Sequence, residues 1–148
     1  MQKQTALFFA FALVWVAPVA AENTRLEFDY VNSPKGYTTT VTINSNWSVS
    51  LVKVRRNVTG ERSTKIIQLK REQLAQVQTL LSGVHPDSLT SAYGLNSHAT
   101  DEPKYVFRFP HDGTWKEIRI EPYLSAPLAP AQILVLKDFL MQLAISVE

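Results

Sequence analysis

From Thr24 to Val31 the chain alternates: Leu26, Phe28 and Tyr30 are apolar, while Arg25, Glu27 and Asp29 between them are charged. A period of two with one apolar side buries itself only as a strand with one wet face. Tyr37–Ile43, rich in Thr and Val, repeats the character, and Trp47–Arg55 and Ser63–Leu69 follow it. Apolar residues fall on both sides of Trp47–Arg55, so its buried face stays open. Turn residues separate these segments at Ser33-Pro34-Lys35-Gly36, Asn44-Ser45-Asn46 and Asn57–Gly60. At Lys70 the period changes. Leu74, Val77, Leu80, Leu81 and Val84 recur at three- and four-residue spacing, which predicts an amphipathic helix over Lys70–Ser82. Gly83 is expected to stop it at positive φ, and Pro86 bars continuation.

The same change then happens again. Tyr105, Phe107 and Phe109 alternate, Pro110-His111-Asp112-Gly113 signals a hairpin, and Ile118 and Ile120 form the returning face. Pro130 suits the start of a last helix, with Ile133, Leu136, Leu140 and Leu143 inward and Lys137, Asp138 and Gln142 outward. Between the two rounds, His85–Pro103 is a long polar connection that Tyr93 and Leu95 would pin to the core. These elements make an α+β domain: an antiparallel sheet, meander plus hairpin, with two helices packed on one face, in the order β-β-β-(β)-α-β-β-α.

The N-terminus obeys a different logic. Lys3 precedes an unbroken apolar run, Ala6–Val16, and Pro18 and the small residues Val19-Ala20-Ala21 follow. This is a bacterial-type secretory signal, residues 1–21, with cleavage expected after Ala21. The run is short of the about 20 residues a spanning helix needs, so the mature chain, residues 22–148, is expected to be a single domain that is not transmembrane. The expected location is the periplasm or the outside of the cell. With no cysteine the domain has neither disulfide nor thiolate chemistry and must hold itself together by packing.

Fifteen Lys and Arg against 13 Asp and Glu give a net charge of +2, too small an excess for a general nucleic-acid binder. The bases are nevertheless clustered: Lys53, Arg55, Arg56, Arg62, Lys65, Lys70 and Arg71 are opposed only by Glu61 over that stretch. Such a run either binds an anionic surface or acidic protein, or guards a solvated strand edge. Trp47 and Trp115 are candidate interface anchors, because tryptophan is enriched at binding hot spots.

Catalytic patterns are missing. His85, His98 and His111 all fall in predicted loops, and none sits in a nucleophile elbow. His85-Pro86-Asp87-Ser88 places base, acid and hydroxyl side by side, but triads are assembled by folds rather than by adjacency, and local capping explains the same residues. No histidine pair has zinc spacing, and the Asp101-Glu102 pair lies in a loop. No glycine-rich phosphate loop or other cofactor motif exists, so no cofactor and no metal is expected. The glycosylation sequons at Asn46-Trp47-Ser48 and Asn57-Val58-Thr59 are read as chance in a protein exported this way.

The layout resembles the emfourin family, small inhibitors of thermolysin-like metalloproteases. The likeness lies in a meander, a helix of the type Leu74–Leu81, an acidic loop such as Asp101-Glu102, a hairpin of the form Tyr105–Phe109, Asp112-Gly113, Ile118–Ile120, and a closing helix such as Ile133–Leu143. It spans most of the mature chain. The resemblance implies a protease inhibitor; together with the signal segment and the absence of catalytic motifs, the expectation is an exported non-catalytic binding protein, an inhibitor of a protease or toxic enzyme that engages its partner through turns such as Asn44–Asn46 or Asp112-Gly113. The candidate binding residues, read from charge, residue type and turn position and not from the resemblance, are Trp47, Arg55, Arg56, Arg62, Asp112 and Trp115. Three other readings stand beside it: an immunity protein against a delivered toxin, a small envelope hydrolase using a loop histidine, and an assembly factor whose basic face binds anionic envelope components.

Overall fold

The computed structural model describes residues 23–56, 61–95, 102–122 and 126–146. The expected signal segment, the turn at Asn57–Gly60, His98 and Asp101 lie outside the described residues. Four strands come first: β1 (Thr24–Asn32), β2 (Tyr37–Asn44), β3 (Ser48–Arg55) and β4 (Arg62–Gln68). Helix α1 (Arg71–Ser82), a single 3-10 turn (Pro86–Ser88) and the short β5 (Ala92–Gly94) follow. The hairpin β6 (Lys104–His111) and β7 (Thr114–Glu121) leads to α2 (Ala131–Ile145). The α+β class and the predicted order hold.

All seven strands join one sheet in the order β4-β3-β2-β1-β6-β7-β5. The hairpin docks on the meander through β1 and β6, where Phe28 opposes Phe107 and Tyr30 opposes Tyr105. This pairing brings the two aromatic faces together: the Phe28 and Phe107 rings stand 4.9 Å apart, and Tyr30 and Tyr105 stack at 6.0 Å. Alternate residues along each central strand are buried on this face and covered by α2, whose Ile133, Leu136, Phe139, Leu140 and Leu143 are all buried. In β3 it is Val49 and Leu51 that turn inward. Two polar residues, Asn32 and Thr39, are buried among the described residues: the Asn32 amide donates to the Tyr30 hydroxyl at 2.9 Å, while its carbonyl oxygen accepts the Lys35 N–H at 3.0 Å. Burial raises the Tyr105 hydroxyl to about 12, and nearby Tyr30, Glu102 and Asp138 add to the effect.

Neither described helix packs on the opposite face of the sheet. At its centre the Arg108 guanidinium meets three carboxylates, Glu27 at 2.7 Å, Asp29 at 2.8 Å and Glu117 at 3.2 Å. Burial works against this charge, yet hydrogen bonds and attraction from Asp29 and Glu27 hold the Arg108 pKa above its ordinary value.

The structure corrects four local expectations. The connection His85–Pro103 is not wholly irregular: β5 runs parallel to β7, with Tyr93 opposite Ile120. Trp47 belongs to the turn, not to β3. Gly83 ends α1 at φ −85°, so the stop does not use positive φ. Lys137 does not face out; its ammonium lies 4.9 Å from the centre of the Tyr105 ring, capping the core with a cation–π contact.

Candidate binding site

The β2–β3 turn and the β6–β7 hairpin fall at the same pole of the sheet. Register requires it: Thr24 pairs with Asn44, Ile43 with Val49, and Glu27 with Arg108, so β1 begins where β2 ends and where β6 approaches its turn. The hairpin turns at Asp112 (φ 48°) and Gly113 (φ 75°), the consecutive positive φ values of a primed turn. The other turn closes with the Trp47 N–H donating to Asn44 O at 2.9 Å. Asn46 then holds the residue two positions on, its side-chain oxygen accepting from both the Ser48 N–H (3.0 Å) and the Ser48 hydroxyl (2.7 Å). This arrangement puts Trp47 itself at φ 65°, a left-handed conformation that costs a bulky L-residue about 1 kcal/mol or more.

Between the turns and the C-terminal half of α1 lies a cleft of about 640 Å³, within the size range of small-ligand or side-chain pockets. Trp47, Phe109 and Pro110 form its sheet side; Gln78, Leu81 and Val84 line it from α1 and the residues after it. Among the described residues of the lining, Arg25 alone is ionisable. It reaches there through an irregularity in the ladder: pairing steps from Thr24↔Asn44 to Leu26↔Ile43, which leaves Arg25 as the extra residue. Its guanidinium sits 4.1 Å from the centre of the Trp47 ring and donates through Nε and Nη2 to Ser45 O, at 3.1 and 2.9 Å. Strict alternation along β1 would place Arg25 in the same solvent row as Glu27 and Asp29. Its part in the cleft was therefore invisible in the sequence.

His111 ties the hairpin to the 3-10 turn. Its Nε2 lies 3.1 Å from Asp87 Oδ1 and 3.2 Å from Asp112 Oδ2. The His85–Ser88 segment is a capped turn, with the Ser88 hydroxyl and N–H both donating to the His85 carbonyl at 2.8 and 3.0 Å. Among the described residues no group of three or more His, Cys, Asp or Glu is arranged to hold a metal ion.

The six residues singled out from sequence divide between two places. Trp47, Asp112 and Trp115 gather at the turn-bearing pole, with Trp115 paired against Pro110. Arg55, Arg56 and Arg62 lie at the far end of the β3–β4 pair, all exposed, where Arg55 bonds Glu61 at 3.3 Å. They form two surfaces rather than one. No described helix is long and apolar enough to cross a membrane. Comparison with protein-family models, curated proteins and solved structures finds no significant match for this chain.

Proposed function

We propose that this chain is an exported, non-catalytic binding protein that inhibits a protease or a toxic enzyme of the cell envelope. In this reading the β2–β3 turn and the β6–β7 hairpin make the contact. The observation that carries it is the convergence of both turns on one pole around the cleft, with Trp47 held in a left-handed conformation beneath Arg25. Backbone strain of this kind persists only where surrounding structure imposes it, and it collects at ligand clamps and functional loops. A large aromatic on a turn at the mouth of a cleft, beside a second turn, matches the anatomy of an interface anchor.

The test separates binding from folding. Trp47→Gly removes the indole, which packs on the core rim, and relieves the positive φ, so the folded state should lose about 1–3 kcal/mol and remain folded by circular dichroism while partner affinity collapses. The purified protein, the Trp47→Gly variant and an Asp112→Lys variant are each used to capture proteins at high salt from envelope and culture fractions of the source cells. A stoichiometric protease or toxin recovered by the native protein, inhibited by it, and lost with both variants supports the proposal. Equal recovery by all three proteins, or recovery of a partner whose activity is unaffected, would overturn it.

A further inference from the structure

β4 closes the sheet on one side, and nothing among the described elements packs against its far edge. Six of its seven residues are exposed, Ile66 to 68%. Its hydrogen-bonding direction follows from one contact. The Arg55 N–H donates to Glu61 O at 3.3 Å, so Arg55 and Glu61 form a hydrogen-bonded pair. Antiparallel ladders alternate such pairs with non-bonded ones. Continuing the register, Lys53↔Ser63, Leu51↔Lys65 and Val49↔Ile67 are bonded, whereas Arg62, Thr64 and Ile66 direct their N–H and C=O groups away from β3. This is an open row of donors and acceptors, the template for adding a further strand.

Charge selects what can use it. Arg62 and Lys65 stand on the strand itself, Arg56 precedes it, and Lys70 and Arg71 follow it, all exposed; Arg55 is offset by its ion pair with Glu61. A second copy would bring this excess against its own, and like charges across a strand pair oppose association. An extended segment bearing carboxylates would form the same ladder with the charges matched. Exposed Ile66 adds an apolar contact on the open face of the sheet. We infer that β4 is a docking edge that takes an acidic extended segment of a partner protein by strand addition. This edge is separate from the turn-bearing pole, and the inference holds or fails without it.

A lipid or polysaccharide anion would need only the basic side chains, whereas a strand also needs the backbone. The probe is therefore a labelled acetyl-Glu-Val-Glu-Thr-Glu-Val-Glu-amide peptide, compared with a copy N-methylated at alternate residues. Binding is read by fluorescence anisotropy at low salt, beside co-sedimentation with anionic phospholipid vesicles. Thr64→Pro deletes an outward N–H and leaves the β3 ladder intact. Saturable binding of the plain peptide is expected. N-methylation, Thr64→Pro and the Arg62→Gln/Lys65→Gln pair should each weaken it about tenfold or more, the loss of one to two charge-assisted or backbone hydrogen bonds. Added salt should mimic the charge variant. No binding of the plain peptide, equal binding of the methylated copy, or full affinity in folded Thr64→Pro would each overturn the inference. Vesicle binding that matches the peptide's dependence on charge but ignores Thr64→Pro, with no methylation effect, would assign the basic residues to a membrane surface instead. If Thr64→Pro does not fold, the methylated peptide decides alone.

Discussion

The two edges of this sheet are protected by opposite means. β5 is three residues long, its Tyr93 and Gly94 are buried, and its free side is covered: the Gly94 N–H donates to Pro127 O at 3.0 Å and a bridge joins Gly94 to Leu128. β4 is seven residues long and no described element covers it; its guard is positive charge. Cover excludes every strand, whereas charge excludes only strands of like charge. The molecule is thus closed at one side and selectively open at the other.

The largest effect expected from testing this contrast is at the covered edge. Tyr93→Ala empties a buried site and removes the hydroxyl that accepts the Thr90 N–H at 3.0 Å. It should cost about 3 kcal/mol in urea unfolding, with the midpoint lowered and the slope unchanged. A loss below about 1 kcal/mol would mean that β5 is not part of the cooperative fold.

The same substitution at both edges sharpens the comparison further. Gly94→Pro removes a bonded N–H and should cost about 3 kcal/mol, whereas Thr64→Pro should cost less than about 1 kcal/mol because its N–H faces solvent. Equal costs would break the assignment of outward and inward groups along β4.

Alkali should attack the molecule from its covered half, where Tyr105 lies beneath Lys137. The Tyr105 pKa is raised from 10.0 to about 12 by folding, so the folded state holds the proton more tightly than the unfolded chain. Its contribution to stability is fully present below pH 10 and is lost as pH rises toward 12. Phenolate absorbance and circular dichroism should move together over that window. A full set of phenolates near pH 10 with structure intact would place Tyr105 in water.

The smallest effect belongs to the open edge. Ile66→Thr should leave stability within about 0.5 kcal/mol, since the side chain has little burial to lose, while reducing affinity for the acidic peptide. A cost of 2 kcal/mol would show that something covers β4 in solution.

The fold was legible because its signals are local and repeated. Leu26, Phe28 and Tyr30, then Tyr105, Phe107 and Phe109, mark strands by period alone, and Ile133, Leu136, Leu140 and Leu143 mark the helix that covers them. Asp112-Gly113 named its own turn, because few other residues accept two positive φ angles in succession. β5 escaped notice because three residues carry no period, and its place depends on Ile120 of a distant strand. Lys137 misled because its charge predicts exposure, while its methylenes and an aromatic ring beneath make a better site at the core rim.

The candidate site was legible only in fragments. Trp47, Asp112 and the arginines were visible as residue types, but their division into two separate surfaces was not. What the sequence alone determined is the class of each segment and which face of it is apolar, since burial of one face is decided by neighbours three or four residues away. Only the tertiary structure decided that β1 pairs with β6. That pairing brings two turns nearly seventy residues apart to one pole, while the irregular β1–β2 ladder turns Arg25 over Trp47 and the β2–β3–β4 register sends Arg55, Arg56 and Arg62 to the other end. Register is a long-range property: it is set by which aromatic faces pack together, and no single segment contains that information.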